Sequence, residues 1–156
     1  MKTYQIPGRG LLEIEHLVLD FNGTIAEDGK LIEGIKEKLI QLGKAFTIYV
    51  VTADTNGSVH RECEGLPVTV HVIGKEDQLG EKKRFIQSLN SRGVISIGNG
   101  VNDEWMFEVS DIAIAVIGKE GCATSSLLKS NIVVVNILDA FDLLLKENRF
   151  IATLRK

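Results

Sequence analysis

The 156-residue chain contains 44% hydrophobic and 25% charged residues and has a net charge of −3. This balance is typical of one globular domain with a buried core, residues 1–156, and excludes a general attraction for nucleic acid or an anionic membrane surface. Two isolated cysteines, no signal-peptide pattern and no bilayer-length apolar run predict a cytoplasmic protein without a membrane partner.

The first half of the chain predicts strands that alternate with helices. The strands are "TYQIP", then "LLEIE" with "HLVLD", then "FTIYVVT" and "VTVHVIG". A turn at residues 7–10 predicts that the first of them forms a small antiparallel addition. Apolar residues at helical spacing predict a helix over residues 31–42, closed by Gly43, and a short helix over residues 59–63.

The second half continues the alternation. A helix is predicted from about residue 77 to 91, and the strands that follow are "GVISIGN", "DIAIAVIG" and "NIVVVN". Helices are predicted near residues 102–109 and 123–129, and a final helix from about Asp139. Continuous β-branched runs indicate strands covered on both faces, so we expect a doubly wound, mostly parallel α/β sheet with helices on both sides.

Polar residues follow three of these predicted strands. Asp20 follows "LVL", Thr52 follows "IYVV", and Asn99 follows "ISIG". The carboxyl ends of parallel strands meet at one edge, so this edge should also gather Asn22, Thr24, Asp103 and either Lys82 or Lys83. Taken singly, each has an ordinary interpretation as a turn, a helix cap or a solvated charge. Together they indicate a magnesium and phosphate site.

The order of these motifs resembles the haloacid dehalogenase-like (HAD) superfamily across nearly the whole chain. The four family motifs correspond to "DFNGT", to the threonine of "VVTAD", to a lysine in "KKRFIQSL", and to "GNGVND". The positions of Ile86 and Leu89 favour Lys82 over Lys83 as the motif lysine. Within the superfamily, the chain is most similar to the soluble P-type ATPase-like proteins.

The resemblance implies a Mg²⁺-dependent phosphatase in which Asp20 is the nucleophile and forms an aspartyl phosphate. It implies that Lys82 neutralises charge in the transition state and that Asn22 stands at the acid–base position. The implied phosphate-binding residues are Gly23, Thr24, Thr52, Ala53 and Lys82. The implied metal ligands are Asp20, the Asn22 carbonyl, Asn99 and Asp103; the sequence does not decide between Asn99 and Asp103 as the direct ligand.

Two residues depart from the family pattern. The acid–base position, usually aspartate, is Asn22, and a metal-binding position that is usually aspartate is Asn99. Because an amide cannot exchange a proton in this pH range, loss of the general acid–base predicts a rate roughly 10²–10⁴-fold lower. The sequence therefore predicts a slow phosphomonoester hydrolase. A non-catalytic or regulatory phosphate-binding module of the same fold is the alternative, and a response-regulator receiver is disfavoured because its acceptor lies on a different strand.

The segments between the motifs leave no room for a cap domain. Residues 25–51 hold only one predicted helix and one strand, and residues 53–81 are equally short. The expected substrate is therefore a phosphorylated small molecule or an exposed phosphate on a larger one. A homo-oligomer whose neighbouring subunit partly covers the site is a further expectation. The apolar tail "FIATLRK" either forms such an interface or packs on its own sheet.

Overall fold

The computed structural model describes residues 1–53, 57–89 and 92–156, and strands alternate with helices throughout. The strands are β1 (Lys2–Ile6), β2 (Gly10–Leu19), β3 (Ala26–Glu27), β4 (Lys30–Leu31), β5 (Thr47–Thr52), β6 (Val68–Val72), β7 (Gly93–Gly98), β8 (Ile112–Val116) and β9 (Ile132–Val134). The helices are α1 (Ile35–Leu42), α2 (Ser58–Glu62), α3 (Gln78–Ser88), α4 (Glu104–Val109), α5 (Thr124–Leu127), α6 (Ile137–Leu145) and α7 (Glu147–Leu154), with a 3-10 turn at Val101–Asp103 before α4.

The main sheet has the strand order β6-β5-β2-β7-β8-β9, and each of these neighbours is parallel. Strand β1 pairs antiparallel with the first half of β2, from Lys2 opposite Ile14 to Ile6 opposite Gly10. The predicted parallel α/β sheet and its small antiparallel N-terminal addition are therefore confirmed.

The end of strand β2, Leu17–Leu19, is apolar at every position rather than at alternate ones, and its burial shows why. Leu17 and Leu19 are fully buried in the core on one face of the sheet. Val18, which points the other way, is fully buried in a second core with Ile86 and Met106. Strand residues alternate between faces, so helices cover both sides of β2 and its end is positioned rigidly.

Two predicted helices have different bounds in the structure. The first starts at Ile35 rather than 31, because Lys30 and Leu31 pair with Ala26 and Glu27 to form the β3–β4 hairpin. The turn of this hairpin contains Gly29 with a φ of 80°. Helix α3 begins after the cap Asp77, whose side chain accepts a hydrogen bond from the Gly80 N–H. The predicted end of this helix at residues 90–91 lies outside the described residues.

The C-terminal segment consists of two helices, α6 and α7, rather than the predicted single one. Phe150 and Leu154 are buried, and the Phe150 ring lies 4.5 Å from that of Tyr4 on β1. The apolar side of the tail therefore packs on the protein's own sheet and does not supply a free surface. The homo-oligomer stays a prediction, to be checked by light scattering. Among the described residues, no helix has the length and apolar character needed to cross a membrane.

Candidate functional site

The carboxyl ends of three adjacent strands form one side of a cavity of about 340 Å³. Asp20 follows β2, Thr52 ends β5, and Asn99 follows β7. Since β5 and β7 pair with opposite edges of β2, the parallel register brings these residues to one edge. The lining residues are Asp20, Asn22, Thr52, Ala53, Gln78, Asn99, Gly100, Asn102 and Glu120.

Lys82 connects two carboxylates beneath this cavity. Its Nζ lies 2.7 Å from Asp20 Oδ1 and 2.7 Å from Asp103 Oδ1. Lys82 is 1% exposed, Asp20 7% and Asp103 0%. Lys83, the alternative candidate, points elsewhere and lies 6.0 Å from the centre of the Trp105 ring. The structure thus brings Lys82 to the strand-end carboxylate and leaves Lys83 at the surface of α3.

Asp103 also fixes the loop that follows β7. Its Oδ2 accepts hydrogen bonds of 3.0 Å from the backbone N–H groups of Asn99 and Gly100. Gly98 packs so closely against the Asp103 carboxylate that an added Cβ would overlap with it. Both oxygens of Asp103 therefore have protein donors, and this side chain holds Lys82 and the loop in place.

The Thr24 hydroxyl lies between the side chains of Asp20 and Asn99. It is 3.1 Å from Asp20 Oδ2 and 3.3 Å from Asn99 Oδ1. Thr24 is buried, and its position follows from the turn that places the N–H groups of residues 24–26 on the Phe21 carbonyl. Two side-chain oxygens, one from the residue after β2 and one from the residue after β7, thus converge on the Thr24 hydroxyl at the edge of the cavity.

Burial and charge set the protonation of these groups. Burial first, and then the nearby Asp103 carboxylate, raise the pKa of Asp20 to about 6, against the opposing effects of Lys82 and Thr24. Burial alone would lower the pKa of Lys82, but the carboxylates of Asp103 and Asp20 outweigh it and hold the pKa above its usual range. At neutral pH Lys82 is therefore a fixed cation beside an ionised Asp20.

Asn22 lies at the mouth of the cavity, and its side chain is hydrogen-bonded to the β3–β4 hairpin. Its Oδ1 accepts a hydrogen bond of 2.9 Å from the Gly29 N–H in the turn of the β3–β4 hairpin. Gly23, the next residue, has a φ of 81°, a conformation that favours glycine. The amide therefore ties the hairpin to the site at the position where the family pattern has an acid.

Glu120 is a site residue that sequence reasoning missed. A Cβ added to Gly23 would lie 2.6 Å from Glu120 Oε2, so this carboxylate lies over Gly23 beside the cavity. Gln78 and Asn102, which hydrogen-bond to each other at 2.8 Å, were also missed. The sequence position of Glu120 could have indicated its place in the site, because Glu120 follows β8 closely and β8 ends at the same edge of the sheet.

The oxygen donors suit a hard cation better than a soft one. Across the described parts of the chain, no cluster of three or more His, Cys, Asp or Glu side chains has the geometry to hold a metal ion. The groups that do converge are Asp20 Oδ2 and Asn99 Oδ1, both near the Thr24 hydroxyl. Carboxylate and amide oxygens are ligands of Mg²⁺, which is commonly bound by one or two carboxylates together with water and phosphate oxygens.

No family model matches the sequence. An uncharacterized protein of Methanocaldococcus jannaschii is 51% identical over 65 residues, which are 42% of this chain and 70% of that protein. A second protein of the same organism, a soluble P-type ATPase-like phosphatase, is 27% identical over 148 residues. That match covers 92% of this chain but only 54% of the phosphatase, so the chain spans about half of its length.

Solved structures share the architecture. A Streptomyces avermitilis protein assigned to the HAD family of hydrolases has a TM-score of 0.66 at 20% identity, covering 92% of this chain and 85% of that one. The cobalt-bound deoxy-D-mannose-octulosonate 8-phosphate phosphatase of Haemophilus influenzae has a TM-score of 0.70 at 12% identity, covering 86% and 88%. The corresponding phosphatase of Moraxella catarrhalis, in complex with magnesium and phosphate ions and the sugar acid, has a TM-score of 0.66 at 17% identity, covering 91% and 94%.

These likenesses confirm the fold that the four motifs predicted. The structural neighbours are HAD-family hydrolases, and a curated relative is a P-type ATPase-like phosphatase. The chain therefore has the haloacid dehalogenase-like α/β fold, and the described residues between its strands form no cap domain.

Proposed function

We propose that the protein is a Mg²⁺-dependent phosphohydrolase that transfers a phosphoryl group from a phosphomonoester to Asp20 and then to water. The observation that carries this proposal is the pairing of the Asp20 carboxylate with Lys82, 2.7 Å away, at the edge of an open polar cavity. A carboxylate that stays ionised beside a fixed cation is a competent nucleophile for phosphorus. The capless HAD fold of the neighbouring phosphatases supports the same chemistry.

In this proposal each residue has a separate task. An Asp20 oxygen attacks phosphorus, the ester P–O bond breaks, and the leaving alkoxide takes a proton from solvent water in the open cavity. The ammonium of Lys82 offsets the charge that develops, while Thr24, Thr52 and the backbone near Gly23 and Ala53 bind phosphoryl oxygens. All of these groups except Lys82 belong to the strand ends or to the loops directly after them.

We propose Asp20, the Asn22 carbonyl and Asn99 as the direct Mg²⁺ ligands, and assign Asp103 to holding Lys82. The hydrogen bonds of Asp103 to Lys82 and to two backbone N–H groups support this choice. Mg²⁺, when bound, neutralises charge between the nucleophile and the phosphoryl group. Asn99 offers a neutral oxygen, so the metal should bind more weakly than at a site with a carboxylate there.

A second candidate function is a phosphate-binding module without turnover. The two amides, Asn22 and Asn99, favour it, because they stand where the family pattern has acids. The intact set of Asp20, Thr52, Lys82 and Asp103 favours the enzyme instead. In the enzyme, Asn22 lowers the rate of hydrolysis and a slow turnover is expected.

Phosphoenzyme trapping with acetyl phosphate separates these two functions. The protein is incubated with labelled acetyl phosphate and Mg²⁺, quenched in acid, and tested for label that hydroxylamine releases, as expected for an acyl phosphate. We expect labelling that requires Mg²⁺ and is abolished in Asp20→Asn. Wild-type protein that binds phosphate but never becomes labelled would support the non-catalytic module. A panel of phosphate esters then identifies the substrate class.

A further inference from the structure

Among the residues that the structure describes, the lining of the cavity that contains Asp20 has one other ionisable side chain. Of its nine lining residues, Asp20 and Glu120 carry carboxylates, and the rest have neutral side chains or none. We propose that Glu120 acts as the general base that activates water for breakdown of the Asp20 phosphoenzyme, in place of the acid that Asn22 replaces. This inference rests on the proposed function and adds a catalytic residue to it.

Hydrogen bonds hold the loop that carries Glu120 against the site. Gly121 accepts a hydrogen bond of 3.2 Å from Asn99 Nδ2, and the Ala123 N–H donates to the Asn99 carbonyl at 2.8 Å. Within the loop, the Gly121 N–H donates a hydrogen bond of 3.0 Å to the Gly118 carbonyl. These hydrogen bonds hold the backbone of Glu120 against the same loop that supplies Asn99.

The side chain of Glu120 lies at the border of the cavity. It lies over Gly23, where an added Cβ would be 2.6 Å from Glu120 Oε2 and 2.5 Å from Asn99 Nδ2. It also lines the two adjoining cavities, one next to Glu27 and one next to Asn22 and Arg61. A water molecule that approaches a phosphoryl group on Asp20 through the mouth of the cavity would pass beside the carboxylate.

Asn22 cannot take this role. Its amide does not accept a proton in the relevant pH range, and its Oδ1 is already held by the Gly29 N–H. The ammonium of Lys82 is a buried donor below the cavity and has no acceptor site. Among the described residues that line the cavity, Glu120 therefore carries the carboxylate that can accept a proton from water once Asp20 is phosphorylated.

The step balances as follows. The water oxygen forms a bond to phosphorus while the bond between phosphorus and the Asp20 carboxylate oxygen breaks. The electron pair of that bond returns to Asp20 as carboxylate, and the water proton passes to Glu120 and then to solvent. The products are inorganic phosphate and free Asp20, so no further reactant is required.

Single-turnover decay of the phosphoenzyme tests this role. Protein labelled with acetyl phosphate is freed of donor, and loss of label is followed over time. In Glu120→Gln we expect labelling of Asp20 to persist and decay of the label to slow by roughly 10²-fold or more. Adding Asn22→Asp to this variant should restore a large part of the rate.

The matched control is Glu27→Gln. Glu27 shares one adjoining cavity with Glu120 but does not line the cavity with Asp20, so the same charge change there should leave decay unaltered. Decay in Glu120→Gln at the wild-type rate would overturn the role of Glu120 while leaving the phosphohydrolase intact. Failure of Glu120→Gln to become labelled would also overturn it, by assigning Glu120 to binding. Absence of label in the wild type would remove both proposals together.

Discussion

Removing the Asp20 carboxylate should stabilise the metal-free protein at neutral pH. Burial, followed by the Asp103 carboxylate, raises the pKa of Asp20 from 3.8 to about 6. The unfolded chain releases this proton near pH 4, whereas the folded protein keeps it until about pH 6. The folded state therefore binds more protons over this range, and its stability falls as the pH rises from about 4 to about 6.

The size of the effect follows from the pKa and the contacts. A rise in pKa from 3.8 to about 6 corresponds to about 3 kcal/mol of folding free energy lost above pH 6. In Asp20→Asn, Oδ1 can accept from Lys82 and the amide nitrogen can donate to Thr24, so both contacts of Asp20 keep a partner. Burial of the amide and loss of one counterion for Lys82 offset part of the gain. We expect a net stabilisation of about 1–2 kcal/mol at pH 7, or about 2–8 °C in Tm.

Thermal and urea unfolding of both proteins in EDTA between pH 4 and pH 8 measure this difference. Asp142→Asn is the matched control with the opposite sign, because the hydrogen bond from Lys38 holds the pKa of Asp142 below its usual range. That variant should lose stability at pH 7, and its deficit should shrink as the pH falls. An Asp20→Asn protein less stable than wild type at pH 7, with a difference that does not change down to pH 4, would refute the reasoning. Added Mg²⁺ should stabilise wild type more than Asp20→Asn.

Three further predictions concern single substitutions. Asn22→Asp should raise kcat about tenfold, because the new carboxylate still accepts the hydrogen bond from the Gly29 N–H and can also carry a proton. Unchanged or slower phosphoenzyme decay in single-turnover experiments would contradict this prediction. Asp103→Asn should lower the free energy of unfolding by about 3 kcal/mol in urea, because an amide has one oxygen and cannot accept from both Lys82 and the two backbone N–H groups. A loss under about 1 kcal/mol would show that these buried hydrogen bonds matter little. Phe150→Ala should cost about 3–5 kcal/mol in the same assay, because the ring is fully buried against β1, and an unchanged midpoint would show that α7 does not support the fold.

The sequence was sufficient to predict the sheet and the positions of the strand-end residues. Continuous apolar runs such as that of β2 indicate strands buried on both faces, and parallel strands necessarily place their ends at one edge. Helical spacing also distinguished Lys82 from Lys83, since Ile86 lies one turn further along the same buried face. These predictions succeeded because they depend on local periodicity and chain direction.

Contacts between distant parts of the chain could not be predicted from the sequence. "GKEG" has the composition of an ordinary turn, and nothing local shows that Glu120, in the loop after β8, lies over Gly23. The β3–β4 hairpin was missed because it has only two residues on each strand and interrupts an apolar helical pattern. The double role of Asp103, with Lys82 on one oxygen and two backbone N–H groups on the other, likewise depends on how α3 docks on the loop after β7.

The place of β2 in the middle of the sheet divides the site between two parts of the chain. One edge of β2 pairs with β5, from the N-terminal part, and the other with β7, from the C-terminal part. A fragment that ended after α3 would carry the nucleophile and Lys82 but would leave one edge of β2 open. The remaining fragment would begin with the strand that fills that edge and would carry Asn99 and Glu120. Neither piece would hold a complete reaction centre, so turnover by the mixture would report directly on insertion of β7 beside β2.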